Sequence, residues 1–297
     1  MRVFMTGATG FVGSAVVPEL LAVGHKVLGL ARSDASAAAL ERAGVEVHRG
    51  SLEDVDSLRR GAEAADAVMH LGFIHDFTKF VENCETDRRA IETFADALAG
   101  TDKPLIVTSG TGMIQRDSGY AVETDMADPD GPTPRKASEL AALEAGRRGV
   151  DVRIVRLPQV HGPNDHGFTR ILIDVTREKG VAAYTGDGAN VWPAVHRLDA
   201  GLLYRLVLDK GKAGTNYHCV GEKGVPARDI VGVISRKLNL PLISIEPEQA
   251  AEHFGWFAHF AGMNNPSSSE LTREWLGWQP THPGLLEDLE NENYFDS

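Results

Sequence analysis

The sequence predicts an α/β protein: a doubly wound parallel sheet followed by a smaller α/β cap. Three observations carry this. A short apolar run at residues 2–5 leads into the turn Gly7-Ala8-Thr9-Gly10-Phe11-Val12-Gly13, and a helical pattern and a second apolar run follow within about 30 residues. Apolar runs and helical patterns then alternate as far as residue 157. Past residue 160 the rhythm breaks: loops lengthen, aromatics cluster and prolines recur.

Each element has its own signal. Residues 14–23 set Val16, Val17, Leu20 and Leu21 on one side of a helix, which Gly24-His25 ends. Residues 26–31 read as a strand, 36–43 as a helix and 45–49 as a strand. Ser51-Leu52-Glu53-Asp54 opens a helix at 55–60. A strand at 67–71, a long helix at 84–98, a strand at 105–108, a helix at 136–147 and a strand at 152–157 complete the series. Strands separated by helices imply a parallel sheet covered on both faces.

The later region reads as a helix at 168–178, a hairpin at 182–195 around Gly186-Asp187-Gly188, a helix at 198–208 and a strand at 216–220. A helix at 226–238, a strand at 242–245 and helices near 247–261 and 269–276 follow. The division expected is a sheet domain over 1–160, rejoined by 196–220, and a substrate-binding cap of 161–195 and 221–297.

Composition excludes several classes. The net charge of −12 disfavours nucleic acid as a general partner. No apolar stretch reaches the ~18 residues of a membrane span, and no signal peptide is read. Two distant cysteines, Cys84 and Cys219, make no disulfide scaffold and point to a cytoplasmic setting. The 11 histidines include no metal-ligand spacing, so no metal is expected.

The glycines have a defined task. Gly7 permits a tight turn, Gly10 lets backbone approach a pyrophosphate, and Gly13 lets helix and strand pack closely. The helix start beyond them offers free N–H groups and positive dipole to the phosphates. This is the Rossmann dinucleotide signature. The second strand then ends in Arg32-Ser33 rather than in an acid, which favours the 2′-phosphate of NADP over NAD.

The segment Thr6-Gly7-Ala8-Thr9-Gly10-Phe11-Val12-Gly13 resembles the extended short-chain dehydrogenase/reductase family, also called the NAD-dependent epimerase/dehydratase family. Gly50-Ser51-Leu52-Glu53-Asp54, Val68-Met69-His70-Leu71-Gly72, Val107-Thr108-Ser109, Arg156-Leu157-Pro158-Gln159-Val160-His161-Gly162-Pro163, Val195-His196-Arg197-Leu198-Asp199 and Leu276-Gly277-Trp278-Gln279-Pro280 are similar to later family segments in the same order. The resemblance implies a cofactor held by Gly7, Thr9, Gly10, Phe11, Val12, Gly13, Arg32, Ser33, Ser51, Leu52, Leu71, Gly72, Phe73, Thr108, Arg135, Lys136, Leu157, Pro158 and Val160. The family also often dimerises through the helices corresponding to 84–98 and 136–147. Arg88, Arg89, Glu92, Arg147 and Arg148 make those faces charged, and monomer and homodimer both stay open.

One departure concerns chemistry. The family carries Tyr-x-x-x-Lys at the start of the helix before Arg156; its Tyr is the general acid/base and its Lys binds ribose. Here the segment is Gly131-Pro132-Thr133-Pro134-Arg135-Lys136-Ala137-Ser138-Glu139. Gly131 falls opposite Arg135, or Pro132 opposite Lys136, and neither transfers a proton. Replacement candidates are Ser109, which can polarise a carbonyl, and His75 or Tyr120 as proton donor, with Arg135 or Lys136 as the retained cation. The aromatic run His253-Phe254-Gly255-Trp256-Phe257-Ala258-His259-Phe260 is either a substrate-pocket wall or cap core. The expected function is an NADP-dependent oxidoreductase of an atypical branch, acting on a small carbonyl or hydroxyl compound. The alternatives are a non-catalytic NAD(P)-binding sensor or scaffold, and an epimerase or dehydratase.

Overall fold

A computed structural model describes residues 1–291, Tyr294 and Phe295. The chain runs β1 (Arg2–Thr6), α1 (Gly13–Ala22), β2 (Lys26–Ala31), α2 (Asp34–Arg42), β3 (Glu46–Arg49), α3 (Val55–Glu63) and β4 (Ala67–His70). Next come α4 (Phe80–Leu98), β5 (Leu105–Gly110), α5 (Lys136–Arg147), β6 (Val152–Leu157), β7 (Gln159–His161) and α6 (Phe168–Lys179). Then follow β8 (Ala182–Thr185), β9 (Val191–His196), α7 (Arg197–Lys210), β10 (Thr215–His218), β11 (Glu222–Pro226), α8 (Ala227–Leu238) and β12 (Leu242–Ile245). Four short helices finish it: α9 (Ala250–Phe254), α10 (Ala258–Ala261), α11 (Glu270–Leu276) and α12 (Leu285–Asn291).

Alternation along β1 sets the layers. Val3 and Met5 face one side, with Val16 and Leu20 of α1 and Leu203, Tyr204 and Val207 of α7. Phe4 faces the other, with Leu58 of α3, Ile91, Phe94 and Leu98 of α4, and Ala142 and Ala145 of α5. Between these layers lies a seven-stranded sheet of order β3-β2-β1-β4-β5-β6-β10. All six pairings are parallel. The strand order reverses between β1 and β4, and in such sheets ligands bind outside the C-terminal strand ends at that point. On the outer side of α4 and α5, Arg88 pairs with Glu85 and Glu92, and Arg148 with Asp96.

The cap holds a three-stranded sheet, β11-β9-β7, and a two-stranded sheet, β12-β8. Its core gathers Leu172 and Ile173 of α6, Ile230, Val231 and Ile234 of α8, and Trp192, Phe254 and Phe257. Asn239, at φ +53°, ends α8 in a left-handed cap.

Two expectations are corrected. Residues 182–195 do not form a hairpin. β8 pairs in parallel with β12, from Ala182↔Leu242 to Ile245↔Thr185, while β9 pairs with β11 and β7. The glycine turn is real, with Gly188 N–H donating to Thr185 O (3.0 Å), but it directs the two strands into different sheets. Residues 270–278, assigned to the cap from sequence, bury Leu276 and Trp278 in the sheet-domain core. The Trp278 indole N–H donates to Asp199 O of α7 (3.0 Å), which anchors the segment there.

Candidate functional site

The turn after β1 is as tight as its glycines allow. Gly7 has φ +71°, and a Cβ there would lie 2.7 Å from Gly72 N; a Cβ on Gly13 would lie 2.0 Å from Gly7 O. Gly10 N–H donates to Gly7 O (2.9 Å) and Ser14 N–H to Gly10 O (2.9 Å). The amides of Phe11, Val12 and Gly13 have no acceptor among the described residues. They stand at the positive end of α1, whose ten residues begin at Gly13. That donor set suits a diphosphate. Thr9 is exposed beside it, and Val12, Leu71, Leu157 and Val160 pack on the rim of the first core face. Pro158 is half-buried between the last two, and the Phe11 ring lies under Arg197 (5.1 Å).

At the end of β2, Arg32 is exposed and makes no ion pair among the described residues. Asp34 faces solvent and pairs with Arg49 (2.7 Å), which stands opposite Ala31 at the end of β3. Ser33 is spent on capping α2, accepting from Ser36 N–H (3.2 Å), and Ser51 accepts from Glu53 N–H within its own turn (3.3 Å). Leu52 packs on the second core face.

A buried polar chain links the turn to α5. Gly72 N–H donates to Thr6 Oγ1 (2.9 Å), and the Thr6 hydroxyl to His70 Nδ1 (2.6 Å). His70 Nε2 faces Asp87 Oδ1 (3.1 Å), a pure acceptor, so Nε2 carries the ring hydrogen. Arg135 donates to Asp87 Oδ2 (2.6 Å), to Ser138 Oγ and to Thr108 O (3.3 Å), and its guanidinium lies 4.3 Å from the Phe73 ring centre. Burial alone would raise the Asp87 carboxyl; Arg135 and then His70 outweigh it and hold it far below the carboxylate range. Lys136 instead donates to Gly131 O. Of these two adjacent cations, Arg135 is the one turned inward.

Two of the expected catalytic groups, Ser109 and Tyr120, have other partners. Ser109 is 6% exposed and donates to Glu139 Oε2 (2.5 Å). Glu139 pairs with Arg156 (2.5 Å), both wholly buried. Arg156 donates to His218 Nε2 (3.2 Å), whose Nδ1–H donates to Ser268 O (2.8 Å). Burial first, and Arg156 second, lower His218 to about 4. Ser109 is thus bound into a structural network, and its role of polarising a substrate is not supported here. Tyr120 is 48% exposed with Lys223 over its ring (5.1 Å). The neighbouring Ala121 bridges to Ser267, which holds this loop against the C-terminal segment rather than turning the phenol inward.

His75 stands apart from these. It follows β4, edge-on to Phe73 (5.3 Å) and Phe77 (6.3 Å). The residue is exposed, yet protein atoms crowd its ring. That desolvation first, and Arg135 second, pull its pKa below the ordinary imidazole value. Phe77 stacks on Trp256 of the cap (4.5 Å, 18°) and closes the aromatic wall. The aromatic run 253–260 therefore divides: Phe254 and Phe257 are core, while Trp256, 54% exposed, meets the sheet domain.

At the end of β7, buried His161 donates from Nδ1 to Asp288 Oδ2 (2.7 Å), which also accepts from Tyr294 (2.5 Å). His161 Nε2 and Asp165 Oδ2 are buried without a hydrogen-bond partner among the described residues. Burial pushes Asp165 up to about 6, against the Gly167 N–H bond to it. Among the described residues no group of three or more His, Cys, Asp or Glu is arranged to hold a metal ion.

Asp87, His70 and Glu139 were missed as site residues. Their signal was present: Asp87 sits on the buried stripe Cys84, Asp87, Ile91, Phe94 and Leu98 of α4, and Glu139 on the stripe with Ala142 and Ala145 of α5. A carboxylate at an apolar-stripe position implies a buried cationic partner.

Known proteins share this fold. The chain is 46% identical over 296 residues to an uncharacterized protein of Schizosaccharomyces pombe, covering 99% of this chain and 100% of that one. It is 25% identical over 271 residues to a sterol-4-alpha-carboxylate 3-dehydrogenase (decarboxylating) of Dictyostelium discoideum, covering 81% and 80%. Among solved structures it is similar to DesIV, a dTDP-glucose 4,6-dehydratase of Streptomyces venezuelae with NAD bound, with TM-score 0.78, 23% identity and coverage of 97% and 96%. Residues 3–220 match the NAD dependent epimerase/dehydratase family model, and the chain belongs to that family, the extended short-chain dehydrogenases/reductases.

Proposed function

We propose that the protein is an NADP-dependent oxidoreductase acting on a small carbonyl or hydroxyl compound. One observation carries the reading. An open dinucleotide turn lies at the strand-order reversal, and the loop leaving β4 beside it brings His75 within reach of the charge of Arg135, at the head of α5. The dehydrogenase relative supports the reaction class.

The amides of Phe11, Val12 and Gly13 would hold the diphosphate, Arg32 the 2′-phosphate, and Arg135 the ribose on the nicotinamide side. The bound nicotinamide supplies or takes the hydride. His75 moves the proton: imidazolium donates it to the carbonyl oxygen in reduction, and neutral imidazole accepts it from the hydroxyl in oxidation. The lowered pKa keeps His75 neutral at pH 7, so it stands ready as a base. Phe73, Phe77 and Trp256 exclude water from one side. An ion-paired Arg135 leaves little attraction for a substrate carboxylate.

The test is NADPH oxidation across a panel of uncharged aldehydes and ketones, with His75→Gln alongside. Turnover lost in the variant supports the reading. Tight NADPH binding with no turnover in either protein rejects it in favour of a non-catalytic binder.

A further inference from the structure

We infer that Asp87 is the positioning residue of the cofactor site: one buried carboxylate fixes both the turn after β1 and the guanidinium of Arg135. The inference rests on the dinucleotide reading above. Asp87 is 1% exposed and cannot itself reach a ligand in the crevice. It acts through its two oxygens, each of which holds a different part of the site.

Oδ1 accepts from His70, which through Thr6 reaches the backbone of Gly72, the residue packed against Gly7. Oδ2 accepts from Arg135. Without that anchor the long arginine side chain would be free to rotate and its charge would sit unpaired among buried groups. With it, the planar fork is held against Thr108 O and the Phe73 ring, with 16% of the side chain left open. Three strand ends (β1, β4 and β5) and the head of α5 are thereby set by a single group on α4. Ionisation supports the role, because Arg135 and His70 keep the buried carboxylate charged.

The role separates from plain stabilisation by which half of the nucleotide is affected. Arg135 faces the nicotinamide half, whereas Arg32 and Ser33 are at the far end of β2. Asp87→Asn, Asp87→Glu and wild-type protein are titrated with NADPH by fluorescence and with 2′,5′-ADP by calorimetry. Asp87→Asn is expected to weaken NADPH about tenfold or more, and 2′,5′-ADP, which would rest on the turn and Arg32 but not on Arg135, by clearly less. Asp87→Glu recovers most of the NADPH affinity. Equal weakening of both ligands, or NADPH bound as tightly as by wild type, overturns the inference. Should Asp87→Asn not fold, Asp87→Ser, which keeps Arg135 and a hydroxyl acceptor beside it, is read in the same way. Wild type that binds NADH and AMP instead overturns the NADP reading alone, and the variants are then scored with that pair. A wild type that binds neither pair overturns both.

Discussion

Ser109 and Glu139 are joined by a 2.5 Å hydrogen bond that ties the end of β5 to α5. The hydroxyl that family likeness places at the reaction centre is a support for the Glu139–Arg156 ion pair. Glu139→Gln leaves Arg156 buried and unpaired, at a cost of about 3–5 kcal/mol. Ser109→Ala removes one bond to a charged group, at about 1.5–3 kcal/mol. Thermal melts are expected to order the proteins wild type, Ser109→Ala, Glu139→Gln, with NADPH affinity unchanged in Ser109→Ala. A Ser109→Ala protein that melts like wild type but binds no NADPH would return Ser109 to the cofactor site.

Arg32 faces solvent with no ion pair among the described residues, so its removal costs the fold little. Arg32→Ala is expected to weaken NADPH by roughly ten- to a hundredfold, as loss of charge-assisted bonds implies, and to leave NADH alone. Competitive titration of the two nucleotides checks this. Equal loss for both would remove Arg32 from the 2′-phosphate.

Gly13 tolerates no side chain, because a Cβ there would lie 2.0 Å from Gly7 O. Gly13→Ala must push α1 away from the turn, at about 1–3 kcal/mol. Both the melting temperature and NADPH binding fall together in circular dichroism and fluorescence. Retained nucleotide affinity would show that the turn adapts.

Stability responds to pH through Asp165. Its folded pKa of about 6 lies above the unfolded 3.8, so between these values the folded state binds more protons. Stability from this group therefore falls as pH rises through that window, by on the order of 2–3 kcal/mol. His196 and His218 act oppositely. Their folded pKa values of about 4 lie below the usual 6.5, and their contribution is lost as pH falls through that range. Asp165→Asn is expected to melt higher than wild type at pH 7.5 and alike at pH 4. A difference that does not change with pH would refute the assignment.

Proton transfer by His75 predicts opposite profiles for the two directions. Reduction accelerates as pH falls from 7 toward the lowered imidazole pKa, and alcohol oxidation slows over the same range. His75→Gln flattens both curves. Profiles unchanged in that variant would assign the proton to another group.

What could be read from sequence was what local spacing determines. The glycine turn, the parallel alternation and the strand at 242–245 follow from periods and punctuation within a few residues. The rest depended on distant partners. Arg135 and Lys136 are adjacent, and only Asp87 on α4 decides which of them turns inward. The Ser109 hydroxyl is directed by a carboxylate 30 positions away. A glycine turn between two apolar runs reads alike whether the strands pair or diverge, and β12 alone provides the other partner for β8.

The place of Trp278 bears on how the chain is made. Synthesis delivers β1 through β6 in order, and each can pair as it emerges. Yet α7, whose Tyr204 and Leu203 cover the first face of the sheet, receives its closing side chain only when Trp278 leaves the ribosome. The half that carries the glycine turn is therefore no early-folding unit with a cap added later; it waits, with one face incompletely covered, until residue 278 has been made.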